Sequence, residues 1–144
     1  MDTIKKKVII NAPIEKVFAF LVDPRKIPLV MPALIENKNI PKLPLKEGSK
    51  FNYVYQLYGV KLEGKWTVTK IKKPTEYWAV TDGGSWSEWK YTLSKKGKGT
   101  LINFTLNYKI PHSVLTKIKQ GILNKMNEKE ADHFFHNLKT VLEM

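Results

Sequence analysis

The stretch PHSVLTKIKQGILNKMNEKEADHFFHNLKTVLEM, residues 111–144, decides how the rest of the chain is interpreted. Pro111 ends the strand pattern that precedes it, and Ser113 is a suitable N-cap for a helix. No proline follows, and apolar residues recur at helical spacing along the stretch. The stretch therefore predicts one long C-terminal helix from Pro111 to Met144.

Apolar residues define two separate faces of this predicted helix. The first face consists of Val114, Leu115, Ile118, Ile122 and Met126. The second face consists of Ala131, Phe134, Phe135, Leu138, Val141 and Leu142. At about 100° per residue the two faces point in nearly opposite directions. The change falls on the polar residues 127–130, so we expect either a bend there or two halves that pack against different parts of the protein.

The residues before this helix predict an antiparallel sheet of seven strands. The predicted strands lie at 2–10, 33–40, 50–58, 60–72, 75–82, 85–95 and 100–110. Connectors such as Tyr58-Gly59 and Lys73-Pro74 are short, so successive strands are expected to be antiparallel neighbours. Between the first two strands, Pro13 begins a helix that ends at Asp23-Pro24, and residues 24–32 allow only a short second helical turn.

The alternation along the strands identifies the buried face of the sheet. Phe51 and Tyr55 share one side of their strand, and polar residues occupy the other side. The later strands repeat this pattern, which predicts one apolar, aromatic-rich face and one polar face. The strand at 75–82 is ambiguous because the adjacent Tyr77 and Trp78 must point to opposite faces.

The opening segment INAPIEKVFAFLVDP, residues 10–24, resembles the start of the START/Bet v 1-like superfamily, and more narrowly its polyketide cyclase/dehydrase and lipid-transport group. Further motifs fall where that group has its own, at Met31-Pro32, Glu47-Gly48-Ser49, Lys73-Pro74, Gly99-Thr100 and residues 137–143. The resemblance covers essentially the whole chain. These motifs are turn, cap and packing residues, so they specify the fold better than they specify the ligand.

The resemblance implies an α+β helix-grip fold. In that superfamily a curved seven-stranded antiparallel sheet wraps around a long C-terminal helix, with two short helices between the first two strands, and leaves a cavity. Members bind lipids, sterols, quinones or polyketides, and a minority catalyse cyclisation or dehydration. We therefore expect binding or transport of a small hydrophobic ligand, with a polyketide cyclase/dehydrase-type enzyme as the alternative. No catalytic signature is common to the superfamily, so no catalytic residue is assigned.

The aromatic face of the sheet and the first face of the helix supply the candidate ligand-binding residues. These residues are Phe51, Tyr53, Tyr55, Leu62, Trp66, Trp89, Tyr91, Phe104, Leu106, Tyr108, Ile118 and Ile122. Aromatic side chains offer broad apolar contact together with a hydroxyl or indole N–H that orients a ligand. The alternative interpretation is that the same side chains fill a closed core. The cavity found in the superfamily favours a pocket.

The net charge of +12 raises the question of nucleic-acid or membrane binding. Arg25 is the only arginine, and arginine is the residue preferred for bidentate contacts to bases, so we expect no sequence-specific nucleic-acid binding. The apolar face of residues 111–129 is flanked by Lys117, Lys119, Lys125 and Lys129. This segment is therefore an alternative site of contact with an anionic membrane surface or a partner protein.

Three titratable groups are the remaining candidates for chemistry. His133 and His136 follow Asp132 one helical turn apart, and Glu36 lies in a predicted strand without an assigned partner. Exposed histidines are the favoured interpretation, but a straight helix whose first face lines the cavity would make them acid–base candidates. The spacing alone is weak support for a metal site, and no phosphate loop or dinucleotide fingerprint is present. We expect no cofactor and no metal.

Length and composition set the remaining expectations. A chain of 144 residues is most economically one domain, residues 1–144. There is no cysteine, which excludes disulfides and cysteine-bound zinc. The first residues lack the pattern of a signal peptide, so a cytoplasmic location is the default expectation. The oligomeric state is not readable from the sequence.

Overall fold

A curved antiparallel sheet carries the architecture in the computed structural model, which describes residues 1–57 and 59–144. Its strands are β1 (Asp2–Ile10), β2 (Leu34–Lys38), β3 (Lys50–Leu57), β4 (Val60–Lys72), β5 (Glu76–Asp82), β6 (Ser87–Lys96) and β7 (Gly99–Tyr108). Their order across the sheet is β1-β7-β6-β5-β4-β3-β2. Each of the seven predicted strands is present, and strands that are consecutive from β2 onward pair as antiparallel neighbours. The predicted turn at Tyr58-Gly59 includes Tyr58, which lies outside the described residues.

Two short helical elements join β1 to β2, as predicted. Helix α1 (Ile14–Leu21) follows Pro13, whose fixed φ suits the start of a helix, and it carries Glu15 in its first turn. A 3-10 turn (Ile27–Leu29) follows. The apolar residues of α1 at helical spacing are buried, so this helix packs its spaced face into the core.

The predicted continuous helix from Pro111 to Met144 is wrong. The structure contains a short helix α2 (His112–Leu115) and a long helix α3 (Gln120–Leu142), separated by residues 116–119. The β-branched Thr116 and Ile118 are weak helix formers, and the Thr116 hydroxyl donates a hydrogen bond of 2.9 Å to the Ser113 carbonyl. Lys119 is extended, with φ −63° and ψ 141°, so α3 begins in a new direction.

The predicted N-cap at Ser113 is also wrong. The residue that precedes α2 is Pro111, and the residue that precedes α3 is Lys119. Neither makes a side-chain capping hydrogen bond. No helix in the described parts of the chain combines the length and hydrophobicity that crossing a membrane requires.

Helix α3 runs without interruption through residues 127–130, and the two halves of the C-terminal region pack against different clusters. Val114 and Leu123 are buried against Leu57 and Leu62 in a small cluster. The second half of α3 packs in the main core through Ala131, Phe134, Phe135, Leu138 and Leu142. The second of the two alternatives proposed from the sequence is therefore correct.

Hydrogen bonds hold both ends of α3 in place. Near its start, Asn124 donates to the Asp2 carboxylate at 3.3 Å. Near its end, Lys16 donates to the Leu142 carbonyl at 3.1 Å, and the Asn11 backbone N–H donates to Glu143 at 3.0 Å. Because β1 and α1 are fixed to the sheet, these bonds set the position of α3 against the sheet's inner face.

The orientation of β5 resolves the ambiguity at Tyr77 and Trp78. Tyr77 is buried on the inner face. Trp78 points outward between two lysines, with the Lys70 and Lys90 Nζ atoms 4.6 and 4.5 Å from its ring centroid. The hydrocarbon stems of such lysines cover an aromatic ring while their charges stay in water.

Candidate functional site

A cavity of about 150 Å³ lies between the inner face of the sheet and helix α3. Its walls come from strands β2 to β7, from the segment around the 3-10 turn, and from the cavity-facing side of α3. The side chains between the sheet and the helix therefore do not fill the whole space between them.

Ten of the twelve candidate residues line this cavity. They are Phe51, Tyr53, Tyr55, Leu62, Trp66, Trp89, Tyr91, Phe104, Leu106 and Tyr108. The alternation of apolar and polar residues along the strands predicted that they lie on the inner face, because residues two apart in a strand share a face. Whether they bind a ligand is a separate question and stays a prediction.

The other two candidates, Ile118 and Ile122, are not part of the cavity lining. Ile118 packs against the small cluster around Leu57 and Leu62. Ile122 is 51% exposed. The break at residues 116–119 changes the helical register, so Leu123 takes the buried position that the sequence assigned to Ile122.

The aromatic residues of the cavity wall form a continuous series of ring contacts across the sheet. Trp66 stacks on Phe51 with ring centroids 6.0 Å apart, and it approaches Trp89 to 5.4 Å. Trp89 contacts Phe104 at 5.7 Å, and Phe104 contacts Tyr91 at 5.1 Å. Such contacts fix the ring orientations, so the wall presents rigid apolar surfaces to the cavity.

The two tryptophan N–H groups at the cavity wall are paired with neighbouring hydroxyls. The Trp66 indole N–H donates to the Tyr77 hydroxyl at 3.0 Å, and the Trp89 indole N–H donates to the Ser87 hydroxyl at 2.8 Å. The Thr81 hydroxyl lies in hydrogen-bonding contact with Ser87. Tyr77, Thr81 and Ser87 line the cavity but were absent from the sequence-based set. Ser87 alternates with Trp89 and Tyr91 on β6, and Thr81 shares the face of Tyr77 on β5, so strand alternation was a usable signal.

Two cavity tyrosines have strongly shifted ionisation. Burial raises the pKa of Tyr77 above its ordinary value, and the hydrogen bond from Trp66 offsets part of that rise. Burial, with Tyr77 nearby, also raises the pKa of Tyr91 well above the ordinary value. Both hydroxyls are therefore neutral at ordinary pH, and this wall offers uncharged hydrogen-bonding groups within an apolar surface.

Helix α3 contributes polar side chains that the sequence analysis did not assign to the site. Asn127 and Glu130 line the cavity together with Ala131 and Phe134. The Glu130 Oε2 atom is buried and has no hydrogen-bond partner among the described residues. The sequence analysis treated Asn127 and Glu130 as part of a polar break. They precede Phe134 by seven and four residues, and residues with these spacings share a helix face, so the spacing could have predicted that they line the cavity.

The titratable candidates from the sequence lie away from the cavity. Glu36, His133 and His136 are exposed. Asp132 pairs with Lys6 at 3.0 Å. The histidines point outward because Phe134 and Phe135 occupy the buried side of α3. The described residues contain no group of three potential metal ligands. None of these side chains supports acid–base chemistry inside the cavity.

Solved structures with the same fold cover almost the whole chain. A START superfamily protein from Mycobacterium smegmatis has a TM-score of 0.78 at 15% identity, over 98% of this chain and 97% of that chain. A protein from Thermus thermophilus has a TM-score of 0.80 at 13% identity, over 96% and 95%. The structure of Ara h 8.0201 has a TM-score of 0.72 at 14% identity, over 98% and 97%. At these identities the likeness shows the fold.

Comparison at the level of sequence gives the family. No curated protein sequence matches the chain. The family model described as "Polyketide cyclase / dehydrase and lipid transport" matches residues 1–143. The match extends from β1 to the end of α3, and it agrees with the helix-grip fold and with an aromatic-lined cavity. The chain therefore belongs to the polyketide cyclase/dehydrase and lipid transport family.

Proposed function

We propose that the protein binds or carries a small hydrophobic ligand in the cavity between the sheet and α3. The observation that supports this most directly is the cavity itself, whose wall is built from aromatic side chains held in place by ring contacts. Family membership supports the same general role. The exposed positions of Glu36, His133 and His136 remove the residues on which the enzyme alternative was based.

The volume of the cavity limits the size of the ligand. A cavity of about 150 Å³ is comparable to one that accepts a single benzene ring, and pockets for drug-sized ligands hold roughly 300–1,000 Å³. The ligand is therefore expected to insert one ring or an equivalent short chain. A longer lipid would require α3 and residues 116–119 to move away from the sheet.

Titration with p-xylene tests this proposal, because its single apolar ring matches the cavity. Binding is followed by NMR through the methyl signals of Leu34, Leu62 and Leu106, which line the cavity. We expect Trp66→Ala and Trp89→Ala each to weaken binding by about tenfold, since each removes a large part of the contact surface.

Trp78→Ala is the matched control. It removes the same side chain from the outer face, where Trp78 lies between Lys70 and Lys90. Binding in this variant should equal that of the original protein. Unchanged affinity in both inner-face variants, or no binding of p-xylene to the original protein, would contradict the proposal.

A surface feature near the start of α3 favours a second proposal, contact with an anionic membrane. Leu115 is 37% exposed and Ile122 is 51% exposed, and exposed lysines at 117, 119 and 125 lie beside them in the sequence. Apolar side chains flanked by lysines suit the boundary between lipid head groups and acyl chains, and each lysine contributes about 1 kcal/mol at an anionic surface.

Vesicle pelleting tests the membrane proposal. Vesicles that contain phosphatidylserine should retain the protein at low salt, and replacing Lys117, Lys119 and Lys125 with glutamine should release it. Replacing the exposed lysines 95, 96 and 98 in the β6–β7 turn removes the same charge from another surface and serves as the control. Equal binding of the two triple variants would show that net charge, and not this segment, holds the protein on the vesicle.

A further inference from the structure

Helix α3 places one carboxylate against a cavity wall that is mainly apolar and aromatic. Glu130 lines the cavity, and its Oε2 atom is buried without a hydrogen-bond partner among the described residues. The neighbouring acidic residue on the same helix behaves differently, because Glu128 pairs with Lys6 at 2.7 Å on the surface. Glu76 Oε2 is also buried without a hydrogen bond, but it forms an ion pair with Lys70. Among the described acidic residues that line the cavity, Glu130 has neither kind of partner at this oxygen.

The position of Glu130 on the helix explains why it faces the cavity. Asn127, Ala131 and Phe134 are spaced by four and three residues, and Glu130 precedes Phe134 by four. Residues with these spacings form one stripe on a helix, and all four line the cavity. Phe134 is almost fully buried, so the stripe is held against the sheet.

A buried carboxylate oxygen without a donor is unfavourable, and a donor placed beside it is correspondingly favourable. No described residue donates to Glu130 Oε2, and the two indole N–H groups of the sheet wall already have acceptors, since Trp66 donates to Tyr77 and Trp89 donates to Ser87. A hydrogen-bond donor on the bound molecule would supply the missing hydrogen bond to Glu130 Oε2.

We propose that Glu130 is the polar anchor of the binding site, and that the natural ligand is a one-ring-sized apolar molecule that carries a hydrogen-bond donor such as a hydroxyl group. This inference rests on the proposed ligand-binding function. The carboxylate accepts a hydrogen bond from the donor, while the aromatic wall around Trp66 and Trp89 contacts the apolar body. A ligand that carries a carboxylate binds less tightly, because its charge would face that of Glu130 in a medium of low polarity, whereas Lys109, which also lines the cavity, is exposed to solvent.

Three probes with the same apolar body test the inference: p-cresol carries a hydroxyl donor, p-xylene carries no polar group, and p-toluate carries an anion. Each is titrated by NMR into the original protein, Glu130→Met and Glu128→Gln. Glu130→Met keeps a side chain of similar length without an acceptor of comparable strength. Glu128→Gln removes one negative charge from the same helix outside the cavity, and Lys6 keeps Asp132 as a partner.

We expect the original protein and Glu128→Gln to prefer p-cresol over p-toluate by at least tenfold. In Glu130→Met the affinity ratio of p-cresol to p-xylene should fall by tenfold or more, while p-xylene binds at least as well as before. Glu130→Gln, which keeps an acceptor oxygen but no charge, should give an intermediate ratio.

Two results would overturn the inference while the proposed function stands. One is an unchanged ratio of p-cresol to p-xylene in Glu130→Met, and the other is binding of p-toluate by the original protein as tightly as p-cresol. Failure of all three probes to bind the original protein would overturn the proposed function and this inference together.

Discussion

Filling the cavity from the helix side should stabilise the protein and prevent ligand binding. Ala131 is a buried residue of α3 that lines the cavity. Ala131→Leu adds three carbon atoms that can enter the cavity, and each buried methylene contributes about 0.8 kcal/mol, so the free energy of unfolding should rise by up to about 2.4 kcal/mol. Leucine is nearly as good a helix former as alanine, so the backbone contributes little to the change.

Ala79→Leu provides the matched control. Ala79 is a fully buried alanine of β5, but it does not line the cavity. The same three atoms would there enter a closely packed region, where overpacking costs about 1–3 kcal/mol. The two substitutions add the same atoms at buried positions, so we attribute the opposite expected changes in the free energy of unfolding mainly to the cavity beside Ala131.

Urea unfolding, followed by circular dichroism, measures both free energies, and p-xylene titration measures binding. We expect Ala131→Leu to raise the urea midpoint at an unchanged m-value and to abolish binding. Ala79→Leu should lower the midpoint and keep binding in the folded protein. If Ala131→Leu destabilises the protein as much as Ala79→Leu does, or binds p-xylene normally, the space next to Ala131 is not the ligand site.

Three further predictions concern stability. Gly64→Ala should destabilise the fold by more than about 2 kcal/mol in urea unfolding, because a Cβ there would lie 2.7 Å from the Gly84 backbone nitrogen and would also meet the Asp82 carbonyl. Gly121→Ala, in open space on α3, should instead stabilise it by about 0.5–1 kcal/mol. The raised pKa of Tyr91 keeps its hydroxyl protonated in the folded state, so the free energy of unfolding is unaffected below about pH 10 and falls as the pH rises above that value. Tyr91→Phe should reduce this fall by up to about 1.4 kcal/mol per pH unit. Urea unfolding at about pH 9, 10 and 11 measures the difference.

The sheet was predictable because its physics is local. An alternating strand that faces a core on one side shows the buried face directly in its sequence, and short connectors fix the pairing of neighbours. Phe51, Trp66, Trp89 and Phe104 were therefore placed correctly on the cavity wall. Only the strand with adjacent aromatic residues, Tyr77 and Trp78, required the structure to decide which one faces inward.

The C-terminal region was less predictable because its ending and restarting depend on tertiary packing. The break at residues 116–119 carries no proline, and its local signals, Thr116 and Ile118, are only weakly unfavourable in a helix. What stabilises the break is the burial of Val114 and Leu123 in one small cluster with Leu57 and Leu62, contacts that come from distant parts of the chain. These contacts cannot be predicted from the helical periodicity of residues 111–144 alone.

The residues that hydrophobic patterning missed on α3 are also those that give the cavity its chemical character. Patterning assigns polar residues to solvent, and that assumption fails where a helix lines a cavity. Asn127 and Glu130 lie on the same stripe as Phe134, yet packing alone would favour apolar residues there. A gap beside Ala131 lowers stability, and so does a carboxylate oxygen that has no partner in the described part of the chain. Both occur on the helix face that meets the aromatic wall. Two such costs at one place are readily explained if a bound molecule fills the gap and donates to the carboxylate, because binding then recovers both.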